Sequence, residues 1–292
     1  MWTSLSSLRC VLVWRGSMVN RKIIVFAALS IGLGALVDFT TYQVAPPGDA
    51  AASLLWGFAR MYTPALASLA VGGPRIIRRY IRVDLKVLKY YLFSPLFAYM
   101  ALAVYMLLAT QFRMVELRRL SMLIPLEMDP RVVALLVLLN TYIAAITINA
   151  LFALGEEIGW RGFLQDALVS SGVGPVRAAL VAGVLWGVWH APAILILGFN
   201  YPDNRPLGTL IFVALTASMS LPHWISRASS TSILPAASLH GCINAAWGIT
   251  VVTGTVPREL GGLGVLAIAS WAVTSAALYL VFRWRGRASI VS

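Results

Sequence analysis

Apolar residues arrive in long runs separated by short polar stretches, and eight runs stand out, at approximately 23–44, 51–72, 90–112, 131–155, 177–198, 208–226, 230–254 and 260–282. Each is close to the roughly 20 residues that cross a bilayer as an α-helix rising about 1.5 Å per residue. The pattern predicts an all-α, polytopic integral membrane bundle of about eight transmembrane helices. It forms one membrane-embedded domain over 23–292, behind a cytoplasmic tail at 1–22. Between the second and third runs, RIIRRYIRVDLKVLK at 75–89 spaces its arginines by three and four, as an amphipathic surface helix does. PPGDA at 46–50 has the chemistry of a turn. The connection around 113–130 mixes both charge signs with Met and Leu, which places it in the membrane interface. No internal repeat or low-complexity tract interrupts the series.

Composition supports the membrane reading. Hydrophobic residues make up 59% of the 292 positions and charged residues 12%, against roughly 25% charged in a soluble domain. The mean hydropathy is +0.81. Of the 23 basic residues, sixteen fall on one side of the alternating runs and six on the other, with Arg60 inside the second run. Basic loops stay in the cytoplasm, so both termini are expected there and the chain is expected to be multi-pass in the cell membrane. The net charge of +12 flanks apolar spans and does not cluster on a soluble module. It reads as topology and attraction to anionic headgroups, with no nucleic-acid partner. Two cysteines, Cys10 and Cys242, supply no disulfide framework and no CxxC motif. The first 17 residues have the basic look of a leader without a small-residue cleavage pattern, so they read as a retained anchor, with Met18 an alternative start.

An ionisable group inside a bilayer is costly and is a functional candidate by default. Asp38 and Arg60 fall in the first two runs, where they either pair with each other or snorkel. The fourth run ends in Glu156, Glu157 and Arg161; the fifth carries Trp186, Trp189 and His190; the seventh carries His240 and Asn244. Glu157 precedes Arg161 by four positions, the favourable order for an intrahelical ion pair, so these two read as structural support. Glu156 is rotated about 100° away on the same helix and is left free for chemistry. His240 and Asn244, also four apart, share a helix face. Their N–H groups could converge on one substrate oxygen as an oxyanion hole, leaving His190 as a second base beside Glu156. Any one of these groups alone reads better as a polar contact between packed helices. Together they favour chemistry.

The stretches GEEIGWRGFL, WGVWH and HGCIN resemble, in this order, the EExxxR, aromatic-xxx-His and HxxxN motifs of the CPBP intramembrane proteases. That family includes the type II CAAX prenyl endopeptidases and bacterial bacteriocin-processing or immunity members. The resemblance covers about 150–250. It implies that Glu156 with His190 activates a water, that His240 and Asn244 stabilise the tetrahedral oxyanion, and that Glu157 and Arg161 support the site. Two features depart from the pattern. Trp186 stands where Phe is commoner, an exchange expected to alter cavity shape only. His223, in LPHWISR, has no place in the motifs and reads as an interfacial histidine near the end of the sixth run.

The expected product of this fold is a polar intramembrane cavity open to the cytoplasm, in which water cuts a peptide bond of a membrane-associated peptide or lipidated protein tail, CAAX-type processing included. The bilayer is the other partner. HExxH is absent and no two histidines share a helix face at ligand spacing, so a metal-free mechanism without cofactor is favoured over zinc. Serine-protease and paired-aspartate chemistries lack their residues. The competing readings are a non-catalytic scaffold or immunity protein that retains the fold, and a proton-coupled transporter with Glu156 and His190 as relay. A titrating relay has no use for Asn244.

Overall fold

The computed structural model describes residues 5–45, 49–123 and 128–291, with side chains described over 21–45, 49–121 and 128–284. Most of the expected tail, with Cys10 and Met18, and most of the PPGDA turn therefore lie outside the described side chains. The chain is all-α. Among the described residues the one β pairing is an isolated antiparallel bridge between Val115 and Gly254.

Five helices are long and apolar enough to cross a membrane. They are Arg21–Val44 within α1 (Leu5–Val44), Leu85–Gln111 formed by α5 (Leu85–Phe93) and α6 (Pro95–Gln111), Pro175–Leu197 formed by α10 (Pro175–Pro192) and a π-helical turn (Ala193–Leu197), α11 (Arg205–Ser230), and Val265–Trp284 within α14 (Val265–Val291). A sixth span arises if α7 (Pro130–Ala145) is joined to Ile148–Ser170 across a 50° bend. Against the eight expected, five or six spans thus qualify by length and composition among the described residues. Run 51–72 is broken into α2 (Ala50–Met61) and α3 (Thr63–Gly72), with Pro64 at the start of the second piece. Run 230–254 is broken into α12 (Leu234–Ala246) and α13 (Gly248–Thr253). Residues Pro235 to Ile243 of α12 are all buried in protein. Its apolar sequence serves the bundle core, and hydropathy alone does not separate a core helix from a span.

The expected surface helix at 75–89 is also divided. α4 (Arg75–Tyr80) ends at an extended stretch, after which Asp84 caps α5 by accepting from Val87 N at 2.7 Å. Ion pairs hold this end of the bundle: Asp166 accepts from Arg227 of α11 at 2.5 Å and lies 3.1 Å from Arg79 of α4.

The fourth run continues well past its hydropathic end. α8 (Ile148–Glu157) passes into a π-helical segment (Ile158–Leu164) and then α9 (Gln165–Ser170). Wide π turns inside α-helices recur at functional sites, and here the turn holds Arg161. Small residues allow the close approaches that position the site. Glycines 183 and 187 form a GxxxG face of α10 against α11, the packing that lets membrane helices touch backbone to backbone. A Cβ on Gly187 would lie 2.5 Å from Val213 Cα, and one on Gly183 2.8 Å from Ala217 Cα.

Gly187→Ala is therefore expected to push α10 off α11 at a cost of about 1–3 kcal/mol, the range for overpacking. Melting in detergent should show the loss. Gly32→Ala, on α1 with open space around its Cβ, is expected to melt at or above the wild-type temperature because alanine is the better helix former.

Candidate active site

Three helices bring the polar residues together. α8 contributes Glu156 and Glu157, α10 contributes Trp186 and His190, and α12 contributes His240 and Asn244. Glu156, His190, His240 and Asn244 all line one cavity of about 370 Å³, whose wall also includes Trp56, Arg60 and Trp247. The sequence-expected residues are thus gathered at one place.

Glu157 is the structural hub. Its side chain is fully buried, and Oε1 accepts from Arg161 Nη1 at 2.9 Å and from His240 Nδ1 at 2.8 Å. The intrahelical pair expected from the spacing is present, and it carries a second duty. By accepting at Nδ1, Glu157 fixes the orientation of the His240 ring and leaves Nε2 facing Glu156 Oε1, 4.0 Å away. Carboxylate–imidazole pairs set tautomer and orientation in this way.

Glu156 is free of Arg161, as expected, but it has a partner that the sequence did not reveal. Trp186 Nε1 donates to Glu156 Oε2 at 2.5 Å. The tryptophan therefore does more than shape the cavity: phenylalanine has no donor for that bond. Its indole also faces Arg161, whose guanidinium carbon lies 4.4 Å from the ring centroid.

Backbone carbonyls fix the other two histidines. His190 Nδ1 lies 2.9 Å from Trp186 O, and His223 Nδ1 lies 2.8 Å from Met219 O. A carbonyl only accepts, so each Nδ1 carries its proton and each neutral ring presents a lone pair at Nε2. The same holds for neutral His240. This alters one expectation: His240 Nε2 is an acceptor until the ring becomes imidazolium, so in the neutral state Asn244 is the donor of that pair.

His223 is not interfacial. It is fully buried, because α11 continues about two turns beyond it, and its ring lies 5.8 Å from that of His240 and 5.6 Å from that of Trp186. Among the described residues, Glu157, His223 and His240 form a group with donor atoms within 4.8 Å of one another. Arg161 and His240 both engage Glu157 Oε1, while Glu157 Oε2 and His223 Nε2 are buried without a partner.

The buried Asp38–Arg60 pair resolves as a direct contact, Arg60 Nε donating to Asp38 Oδ1 at 2.8 Å. Arg60 also donates through Nη2 to Trp189 O at 2.7 Å and stacks 3.7 Å from the Trp189 ring centroid. Sequence spacing could not place it at the site, because nothing on its own helix pairs with it.

The cavity runs from Glu156 and His240 toward Phe199, Asn200 and Leu263. Those residues precede or face the start of α11, whereas the Asp166–Arg227 pair marks its end. The cavity therefore extends toward the start of α11, away from the Asp166–Arg227 pair. Its rim is formed by half-buried Trp56 and Gly57 of α2 on one side and by exposed Asn244, Gly248 and Val251 of α12 and α13 on the other.

Comparison with known proteins agrees with the motifs. Residues 134–246 match the family described as type II CAAX prenyl endopeptidase Rce1-like, a segment that contains all three motifs. A relative named CAAX prenyl protease 2, from Methanococcus maripaludis, is 27% identical over 133 residues, covering 44% of this chain and 49% of the relative. The match thus spans about half the length of that curated relative. The resemblance read from the motifs is to the family that these comparisons find.

Glu157→Gln is expected to be doubly damaging. It orphans Arg161 in a buried setting, where breaking an ion pair costs about 3–5 kcal/mol, and it loosens His240. Adding Arg161→Gln should recover part of the melting temperature in detergent, since no lone charge remains, but not peptide cleavage. Recovery of both would make Glu157 a partner of Arg161 alone.

Proposed function

We propose that the chain is an intramembrane endopeptidase that hydrolyses a peptide bond of a membrane-associated peptide or protein tail, with glutamate and histidine activating the water. The observation that carries this reading is the convergence of Glu156, His190, His240 and Asn244 on one cavity. Two acceptors, Glu156 Oε1 and His190 Nε2, face space suited to a water, and an amide donor stands on the opposite helix. That is the equipment for adding water to a carbonyl.

In the proposed reaction Glu156 takes a proton from water as the water oxygen bonds to the scissile carbonyl carbon. The carbonyl electron pair moves onto its oxygen, which Asn244 meets as donor. Collapse restores the carbonyl and breaks the C–N bond. The nitrogen leaves with the proton held by Glu156, relayed where necessary through His240 Nε2. A peptide acid and an amine result. Glu157 balances the charge whenever His240 becomes imidazolium. The mechanism proposed is metal-free, a reading supported by the absence of an HExxH pair from the sequence.

The rim between α2 and α12–α13 supports a substrate delivered within the bilayer. The name of the archaeal relative points to prenylated CAAX tails as the first substrates to try. Placing the arginine-rich end in the cytoplasm follows from the basic-residue bias.

Glu156→Gln keeps the hydrogen bond from Trp186 but removes the base. Turnover of a farnesylated CAAX peptide, or of the best-cleaved member of a peptide library, by protein in lipid should fall by about 100- to 10,000-fold, with an unchanged melting temperature. Wild-type protein that cleaves neither would return the non-catalytic scaffold to first place. Side of entry is read separately. A membrane-impermeant thiol reagent should label Asp49→Cys, beside the Phe199 end, from outside, and Arg79→Cys only after the membrane is opened. The reverse pattern would place the cavity's far end in the cytoplasm.

A further inference from the structure

Counting the donors that face the cavity leaves a gap in the reaction just described. The indole N–H groups of Trp56, Trp186 and Trp247 are engaged by Asp38, Glu156 and Gly262 O. The Thr216 hydroxyl donates to backbone carbonyls of its own helix. His190 and His240 present lone pairs. What remains to meet a negative oxygen is the amides of Asn200 and Asn244, and Arg60. Asn200 sits at the Leu263 end, away from Glu156.

Arg60 is held in place for such a task. Its Nε and Nη2 are committed to Asp38 and Trp189 O, and its face is stacked on the Trp189 indole. Nη1 makes no hydrogen bond among the described residues, and it is not among the buried atoms sealed without a partner. Arg60 lines the same cavity as Glu156. A guanidinium clamped at two nitrogens and a face, with the third nitrogen open, is a preorganised donor that costs no reorganisation when charge develops.

Resting on the hydrolytic reading above, we infer that Arg60 is a catalytic residue, the charged donor that stabilises the oxyanion together with Asn244. Charge decides between this role and recognition of a substrate's terminal carboxylate. Asp38, Glu156 and Glu157 against Arg60 and Arg161 leave a net charge of −1 with the histidines neutral. A neutral peptide bond keeps that total: as Glu156 takes the water proton, the negative charge shifts from Glu156 to the oxyanion, toward Arg60. A permanent carboxylate would raise the total to −2 in a low-dielectric site, which is costly. Arg60 lies on α2, outside the segment 134–246, so the family match assigns it no role.

The test uses the paired variant Asp38→Asn/Arg60→Gln, which keeps a neutral hydrogen-bonded pair and leaves no lone buried charge. In lipid, with a farnesylated CAAX peptide, kcat should fall by about 100- to 1,000-fold, as when an oxyanion donor is removed. KM should stay within about threefold, as for a contact made only in the transition state. The trifluoromethyl ketone of that peptide, whose hydrate mimics the tetrahedral anion, should lose affinity by the same factor. Quenching of the cavity tryptophans reads its binding without turnover. Wild-type kcat in the variant, or equal loss of affinity for peptide and ketone, would overturn the assignment. Tight, Arg60-dependent ketone binding by wild type that never cleaves the peptide would refute the hydrolase reading while leaving Arg60 as the anion donor. Protein that neither cleaves the peptide nor binds the ketone would refute both.

Discussion

One carboxylate oxygen, Glu157 Oε1, ties the site together. It accepts from the guanidinium of its own helix and from the imidazole of α12, in a place from which water is excluded. Taking a carboxylate out of water is expensive, and only partners of good geometry offset the cost. The sequence provides them by placing Arg161 four residues on and His240 on the neighbouring helix. The π-helical segment between the glutamates and α9 belongs to the same solution, since its wide turn holds Arg161 while still letting it reach back to Glu157. From this follows the difference between two adjacent glutamates. Glu157 is consumed by structure and by the orientation of His240, while Glu156 is held by a single neutral donor, Trp186, and keeps one oxygen for chemistry.

Tautomers extend the same logic. Three histidines, on α10, α11 and α12, each have Nδ1 occupied, by a carbonyl or a carboxylate, so that Nε2 points inward as an acceptor. Acceptors on this scale suit taking protons and relaying them. They do not suit holding a developing negative oxygen, which needs donors. His223 shares the pattern: its Nε2 is buried without a partner, beside the ring of His240.

Much of this was legible in the sequence because it is local. The i,i+4 pairing of Glu157 with Arg161, the rotation that frees Glu156, and the shared face of His240 and Asn244 all follow from helix geometry. What was not legible depends on other helices. The indole bond to Glu156 joins α8 to α10, and no spacing along either helix announces it. His223 was misplaced because hydropathy ends its run at about 226, while α11 continues to Ser230. Five or six spans, and not eight, qualify by length and composition among the described residues for a related reason. A helix wrapped by protein, such as α12, and a helix wrapped by lipid draw on the same apolar residues, since both surroundings reward burial of carbon.

The amino-terminal helices are then more than anchors. The matched segment 134–246 supplies Glu156, the histidines and Asn244, but the cavity is bordered on one side by α2. That helix is held by Asp38 of α1, which accepts from both Trp56 and Arg60. Burying a second ion pair a short distance from the first is a costly way to join two helices, when apolar packing of similar volume is often as stable or better. The cost is intelligible if the guanidinium does something a leucine cannot. Stacked on Trp189, one residue from His190, Arg60 couples α10 to the wall across the cavity. A shift of α2 would then move the positive charge and the site together, and the negative charge of Glu156 would lose its counterweight on that side.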